Sequence, residues 1–321
     1  MAGLCGRRIA LIKQNAESMK ILQGKWKVLL ALSLLAGGCG GHVVTSKTNL
    51  PVAQRPVAKE ASQEELLASY NQFARNVKTL NLTTDLKPIA GSKYSGVIDE
   101  YHDVKAFVLA ARPEKIRVIG QVPVVGKTVF DMASDEKTFE VSIPPKNKFL
   151  VGPVSFEHPS AKPIENLRPQ HLTEALLWPE VRKEEIVLLE EFNDETARYY
   201  VLTVLRGGYK SEVLRKIWFD RGDLNVVRLE SFGPKGVLLS DARYADWQPT
   251  VASTSAESAD HPFTQYPRKI RLDRPHDDYR LELNISKVSA NEPIDDERFR
   301  LEPPAGAEIV HLGEPTGDKR P

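Results

Sequence analysis

Tyr279-Arg280-Leu281-Glu282-Leu283-Asn284-Ile285-Ser286 alternates apolar and polar side chains without a break. Successive side chains of an extended chain point to opposite faces, so this octet reads as a strand with one buried and one wet face. Ile270-Arg271-Leu272-Asp273 and Val227-Arg228-Leu229-Glu230 repeat the pattern. Further strands are predicted near 80–87, 95–110, 115–122, 128–134, 138–143, 147–151, 186–192, 197–206, 212–219 and 237–245. Asp220-Arg221-Gly222-Asp223, Gly233-Pro234-Lys235-Gly236 and Gly207-Gly208 supply turn chemistry between them. Short hairpin connections imply an antiparallel, meandering sheet.

Helix is scarce. Ser62-Gln63-Glu64-Glu65 reads as a capping box, and Leu66, Tyr70, Phe73, Val77 and Leu80 follow at 4, 3, 4, 3 spacing, one apolar stripe over 62–78. A second short helix is predicted over 169–178, and a turn at 295–299. Three short helices cannot lie flat over a dozen half-apolar strands. Two solutions remain on pattern alone: two stacked sheets, or one sheet curled around a cavity that the helices plug.

The 321 residues are 41% hydrophobic and 27% charged, with a net charge of +1. Arg7, Arg8, Lys13, Lys20, Lys25 and Lys27 crowd the first 38 residues against Glu17 alone, so the remainder is mildly acidic. That gives no footing for a nucleic-acid partner. Val28 to Ala36 is a nine-residue apolar run, far short of the roughly 20 residues a spanning helix needs, and suits the core of a signal peptide. The signal segment is read as 1–38, with Met19 as the expected start.

Leu35-Ala36-Gly37-Gly38-Cys39 resembles the bacterial lipobox, with Ala36 where that family prefers Leu. The resemblance implies that Cys39 is acylated and becomes the new N-terminus, and two or three acyl chains make a stable anchor. Gly40 after the cysteine, rather than Asp, implies the outer membrane by the same resemblance. Residues 39–61 then form the lipidated start and a flexible tether.

Three stretches resemble the lipoprotein-carrier fold shared by LolA, LolB and the mycobacterial lipid-binding lipoproteins. They are Arg112-Pro113-Glu114-Lys115-Ile116-Arg117, the run Phe130 to Phe139, and Phe299-Arg300-Leu301-Glu302-Pro303-Pro304-Ala305-Gly306. Their order and the opening helix agree with the family over 62–310, leaving 311–321 as a polar tail. Glu136 stands where the family's turn prefers Gly, which points to a different turn type there. The domain is also longer than the soluble carrier.

The resemblance implies a mainly β, α+β fold: a curled antiparallel sheet forming an unclosed half-barrel, with a few short helices as a lid over an apolar cavity. It implies that Arg112 latches the lid by bonding helix-end carbonyls, against the plainer reading of a surface Arg before Pro. The expected cavity wall is Val227, Leu229, Ile270, Leu272, Leu281, Leu283 and Ile285 from strands, with Leu66, Phe73 and Val77 from the helix. The plainer reading is that these fill a dry core.

Other motifs weigh less. Gly120 to Thr128 has five residues between its glycines where a P-loop needs four, and a strand follows instead of a helix. Tyr101-His102-Asp103 reads as solvated strand-end polarity, Pro275-His276-Asp277-Asp278 as a polar turn, and Glu184-Glu185 and Glu190-Glu191 as solvated charge at strand ends. No G-x-S-x-G or H-E-x-x-H occurs. The expectation is therefore a non-enzyme without metal or cofactor: a lipid-anchored envelope protein holding an acyl chain of a lipid or lipoprotein. The alternative is a structural or sensory adaptor that uses the same fold to bind a protein partner.

Overall fold

The computed structural model describes residues 57–92, 96–155, 166–193, 197–250 and 265–313, all within one unit, Arg55–Pro321. The signal segment, Cys39, most of the tether and residues 314–321 lie outside the described residues. Among those described, no helix is long and apolar enough to cross a membrane.

Helix α1 (Gln63–Asn76) starts where its capping box places it. The Glu65 amide donates to Ser62 Oγ at 3.2 Å, and the Glu65 carboxylate accepts from the Ser62 amide at 2.8 Å. Its stripe buries Leu66, Tyr70 and Ala74. Seven strands follow: β1 (Thr79–Ser92), β2 (Val97–Glu100), β3 (Val104–Ala111), β4 (Lys115–Gln121), β5 (Thr128–Asp135), β6 (Thr138–Ile143) and β7 (Lys148–Pro153). A 3-10 turn (Pro169–Leu172) and the single helical turn α2 (Thr173–Leu176) interrupt them. The second series is β8 (Glu185–Asn193), β9 (Arg198–Arg206), β10 (Glu212–Asp220), β11 (Val226–Phe232), β12 (Leu238–Pro249), β13 (Gln265–Arg274) and β14 (Tyr279–Ala290). A 3-10 turn (Asp296–Phe299) then leads to β15 (Glu308–His311).

All fifteen strands form one sheet in the order β15-β7-β6-β5-β4-β3-β1-β14-β13-β12-β11-β10-β9-β8, with β2 hairpinned onto the far end of β1. The first and last strands of this path do not pair, so the sheet is unclosed. Strand β1 joins two meanders: it pairs β3 on one side and β14 on the other. Every pairing is antiparallel except β15 with β7, which is parallel.

This topology decides what fills the concave face. β7 and β8 are consecutive in the chain but belong to opposite wings of the sheet. The described part of the connection between them, residues 166–181, packs on the concave face, and we call it the plug. Leu172, Ala175, Leu176, Leu177, Trp178 and Val181 of the plug are all buried in the main core. The octet at 279–286 lies at the sheet's centre, with Leu283 opposite Leu86 of β1 and Ile270 of β13.

The structure departs from the sequence reading at four places. The strand predicted over 95–110 is two, β2 and β3, separated by 101–103. Strand β15 extends one residue past the expected domain end at 310. Glu136 keeps the backbone conformation that Gly would supply, with φ at 84°. At the start of β11 the ladder slips: Phe219 faces Val226 and Trp218 faces Arg228, leaving Val227 as the extra residue of a bulge. Val226 takes the core position, and Val227 stands outside the core cluster.

Candidate functional site

The concave face is lined as the alternation requires. Leu229, Ile270, Leu272, Leu281, Leu283 and Ile285 are all buried, as are Leu66 and Val77. Phe73 is partly buried and packs against the same cluster. In this conformation the plug and α1 lie on these side chains and close the core, and of them Phe73 borders a flanking space. Arg112 stands at the seam, and Val227 alone of the expected wall is displaced, by the bulge.

The plug is held chiefly through its carbonyls. A helix end leaves carbonyl groups without partners inside the helix, and burying them unpaired is costly. Here the surrounding walls supply the donors. Tyr244 Oη donates to Ala175 O at 3.0 Å, and Tyr266 Oη to Leu176 O at 3.2 Å. Tyr70 Oη donates to Pro179 O at 2.9 Å. Asn71 both donates to Val181 O at 3.0 Å and accepts from its amide at 2.9 Å. Burial pushes the Tyr70, Tyr244 and Tyr266 phenols up, so each keeps its donating proton.

Arg112 completes the set. Its Nη2 donates to Trp178 O at 2.8 Å and its Nε to Val77 O, the C-cap carbonyl of α1, at 2.9 Å. One guanidinium thus ties the end of α1 to the plug. Burial lowers its pKa from the ordinary arginine value, opposed by Tyr70 and Glu180.

Aromatic rings fill the space above. Phe73 stacks on Trp178 with centroids 4.0 Å apart, Tyr70 stacks on the same indole at 5.4 Å, and Tyr244 meets it edge-on at 5.3 Å. At the other end of the plug, His171 Nδ1 lies 2.6 Å from Tyr279 Oη, and Arg274 Nη2 lies 3.4 Å from Nε2. A guanidinium only donates, so Nε2 is the acceptor and Nδ1 carries the proton. Burial, then Arg274 and Arg168, hold His171 well below the usual imidazole range.

Two spaces flank the plug. One, about 170 Å³, is bordered by Phe73, Trp178, Leu224, Val226 and Trp247. The other, about 590 Å³, lies beside the plug, where Leu214, Phe232 and Leu239 share a mostly polar lining with Arg206, Arg215 and Arg274 and with Glu114, Glu174, Glu184 and Glu185. Arg215 is held by a two-oxygen pair with Glu185, at 3.0 Å to each, so Glu185, expected from the sequence as solvated charge, is instead a largely buried partner of an arginine.

Other sequence features resolve plainly. Gly120 to Thr128 is the β4–β5 hairpin, and Pro275–Asp278 the β13–β14 turn, with Asp277 held by Arg274 at 2.7 Å. Among the described residues no group of His, Cys, Asp and Glu is placed to hold a metal ion. Sequence reasoning missed the plug's anchors Asn71, Tyr244 and Tyr266, and Trp178 itself. The two tyrosines occupy inward positions of their strands, and inward-pointing Tyr is the one signal that could have found them, since a buried phenol needs a partner.

No protein-family model and no curated protein matches this chain. Solved structures do. The chain is similar to a LolA superfamily protein from Nitrosomonas europaea, at 12% identity over 75% of this chain and 99% of that one, with a TM-score of 0.45. It is similar to a DUF1329 family protein from Desulfovibrio piger, at 13% identity over 73% and 94%, TM-score 0.45. A third is an outer membrane lipoprotein-sorting protein domain from Vibrio parahaemolyticus, at 11% identity over 73% and 94%, TM-score 0.41. These are likenesses of fold at low identity, and the functional reading rests on the chain's own geometry.

Proposed function

We propose that this chain is a lipid-anchored protein of the cell envelope, acylated at Cys39 and held at the outer membrane, that binds an acyl chain of a lipid or lipoprotein on its concave face. The observation that carries the reading is the way the plug is closed. The concave wall is continuous apolar surface at the centre of the sheet. The segment covering it is fixed along its length by side-chain bonds to carbonyls, which open without breaking either helix. Arg112 spans both closing elements, so one guanidinium governs whether they part.

Uptake on this reading makes and breaks no covalent bond and uses no cofactor. The plug swings aside, an acyl chain takes its place on Leu229, Leu272, Leu281 and Leu283, and apolar burial at about 25 cal/mol per Å² supplies the affinity. Relative affinity of donor, carrier and acceptor sets the direction.

One observation favours the second reading, an adaptor with a closed core. Ile186, Leu188 and Phe192 of edge strand β8 are exposed on the outer face, away from the concave side. Titration with a fluorescent fatty acid separates the two. The acyl reading expects saturable binding by the native protein, strengthened by Arg112→Ala and abolished by Leu283→Asp in a variant that still folds. Absence of binding by both native protein and Arg112→Ala would leave the adaptor.

A further inference from the structure

The ladder register assigns every hairpin to one of the two ends of the sheet. The turns β4–β5, β6–β7, β9–β10, β11–β12 and β13–β14 share one end; the turns β3–β4, β5–β6 and β10–β11, and the exit of β14, share the other. The two ends differ in chemistry.

Four of the five turns at the first end carry a solvent-exposed lysine, and each has apolar, aromatic or proline residues just before it. They read Val122-Pro123-Val124-Val125-Gly126-Lys127, Pro144-Pro145-Lys146, Tyr209-Lys210 and Pro234-Lys235. Val124, Val125 and Tyr209 are among the most exposed large hydrophobic side chains of the described residues. Val124 also sits at φ 68°, a conformation that disfavours β-branched residues, with its side chain turned wholly to solvent. Among the described residues, none of Lys127, Lys146, Lys210 and Lys235 takes part in an ion pair. Tyr101 and Ile98 are exposed too, but they stand among Asp99, Glu100 and Asp103 and are left out of the surface. The fifth turn, Pro275–Asp278, is the acidic exception, and Arg274 neutralises its Asp277.

The turns of the opposite end mix charges, with Glu114, Glu136 and Asp223 beside Arg112, Lys137 and Arg221, and Glu292 at the exit of β14; none of them presents an exposed large apolar tip. Residues 59–60, near the start of the described chain, are fastened there: the Lys59 amide donates to Arg221 O at 2.7 Å, and Arg221 pairs with Glu60 at 2.7 Å.

We propose that the lysine-bearing end is a docking surface for an anionic lipid bilayer. Exposed apolar tips enter the interfacial region, and lysines beside them meet anionic headgroups; each type of contact alone is weak and reversible, and together they hold one face down. The turns of the opposite end offer no such apolar tips, which fixes the orientation. The surface stands apart from the acyl-binding reading: docking does not require that the plug open.

The test uses the protein acylated at Cys39 and reconstituted in vesicles, with a single environment-sensitive label. One preparation carries the label at Val125→Cys; the other, at Lys137→Cys, lies on the opposite end. Both sites are exposed, so neither substitution touches the core. In vesicles containing phosphatidylglycerol, the label at 125 is expected to lose most of its quenching by aqueous iodide, while that at 137 keeps it. Adding Lys127→Glu and Lys210→Glu restores quenching at 125, and Leu283→Asp leaves it shielded. Equal access at both sites would overturn the proposal, as would equal shielding at 125 in pure phosphatidylcholine.

Discussion

Arg112 and Trp178 are joined by a 2.8 Å hydrogen bond from guanidinium to carbonyl, while the same guanidinium holds Val77 O at 2.9 Å. The first helix and the plug are thereby closed by one side chain that neither element contains. Charge-assisted bonds of this kind contribute about 1.5–3 kcal/mol each. Arg112→Ala is expected to lower stability by roughly 2–4 kcal/mol, and to speed amide exchange in 172–181 more than in the central strands. Arg112→Lys, with one compact cation, should recover part of that protection. Hydrogen exchange by mass spectrometry reads both.

The tyrosine anchors give graded versions of the same opening. Tyr244→Phe and Tyr266→Phe each strip a buried carbonyl of its donor without changing ring packing. Each should cost about 1–3 kcal/mol in urea unfolding. The two carbonyls are adjacent in α2, so the double variant is expected to deviate from additivity.

Leu281 and Leu283 face the concave core from the central strand, both buried. Leu→Ala at either should cost about 2–5 kcal/mol, read as a lower denaturant midpoint with an unchanged slope.

The bulge at the start of β11 makes a sharper prediction. Strict alternation from Leu229 would put Val227 in the core. The structure puts Val226 there, so Val226→Ala is expected to cost about 1–2 kcal/mol. Val227→Ala should cost under half of that. The reverse ranking in thermal or urea unfolding would mean the strand is in the other register.

Acid sensitivity follows from His171. Its folded-state pKa lies below the ordinary 6.5, so the unfolded chain binds more protons as pH falls. Stability is full above about 6.5 and declines below it, by at most about 1.4 kcal/mol per pH unit. Asp241 adds a second decline at lower pH. Burial raises its pKa, but hydrogen bonds from Arg228 and then Arg243 outweigh this and hold it below the ordinary 3.8. Its stabilising share is present above that value and lost as pH falls through the folded one. Urea unfolding from pH 7.5 to 4.5 should show the first slope in the native chain and a flatter one in His171→Gln.

Most of this fold was legible because its centre obeys period two. The octet at 279–286 alternates over eight residues, and Ser62 with Glu65 marks a helix start by chemistry that acts within four residues. The errors fall where non-local pairing decides. Val227 was misplaced because a bulge depends on the neighbouring strand β10. Strand β15 is four residues long, and nothing local marks Glu308–His311 for parallel pairing with β7. Arg112 was legible as a candidate latch through its resemblance to known sequences. Its acceptors were not, because Val77 and Trp178 are brought together only when β7 and β8 settle on opposite wings and residues 166–181 between them pack on the concave face. The lysine-tipped end was invisible for the same reason: each turn is ordinary by itself, and the register alone places them side by side.

The most direct measurement is mass spectrometry of lipid extracted from the full chain purified natively from cells, beside Leu283→Asp prepared in parallel. The account predicts an acyl-bearing species at one per protein, beyond the chains covalently held at Cys39, and its loss from the variant. A native protein that yields no such species, and that takes up no fluorescent fatty acid when Arg112→Ala loosens the plug, would contradict it.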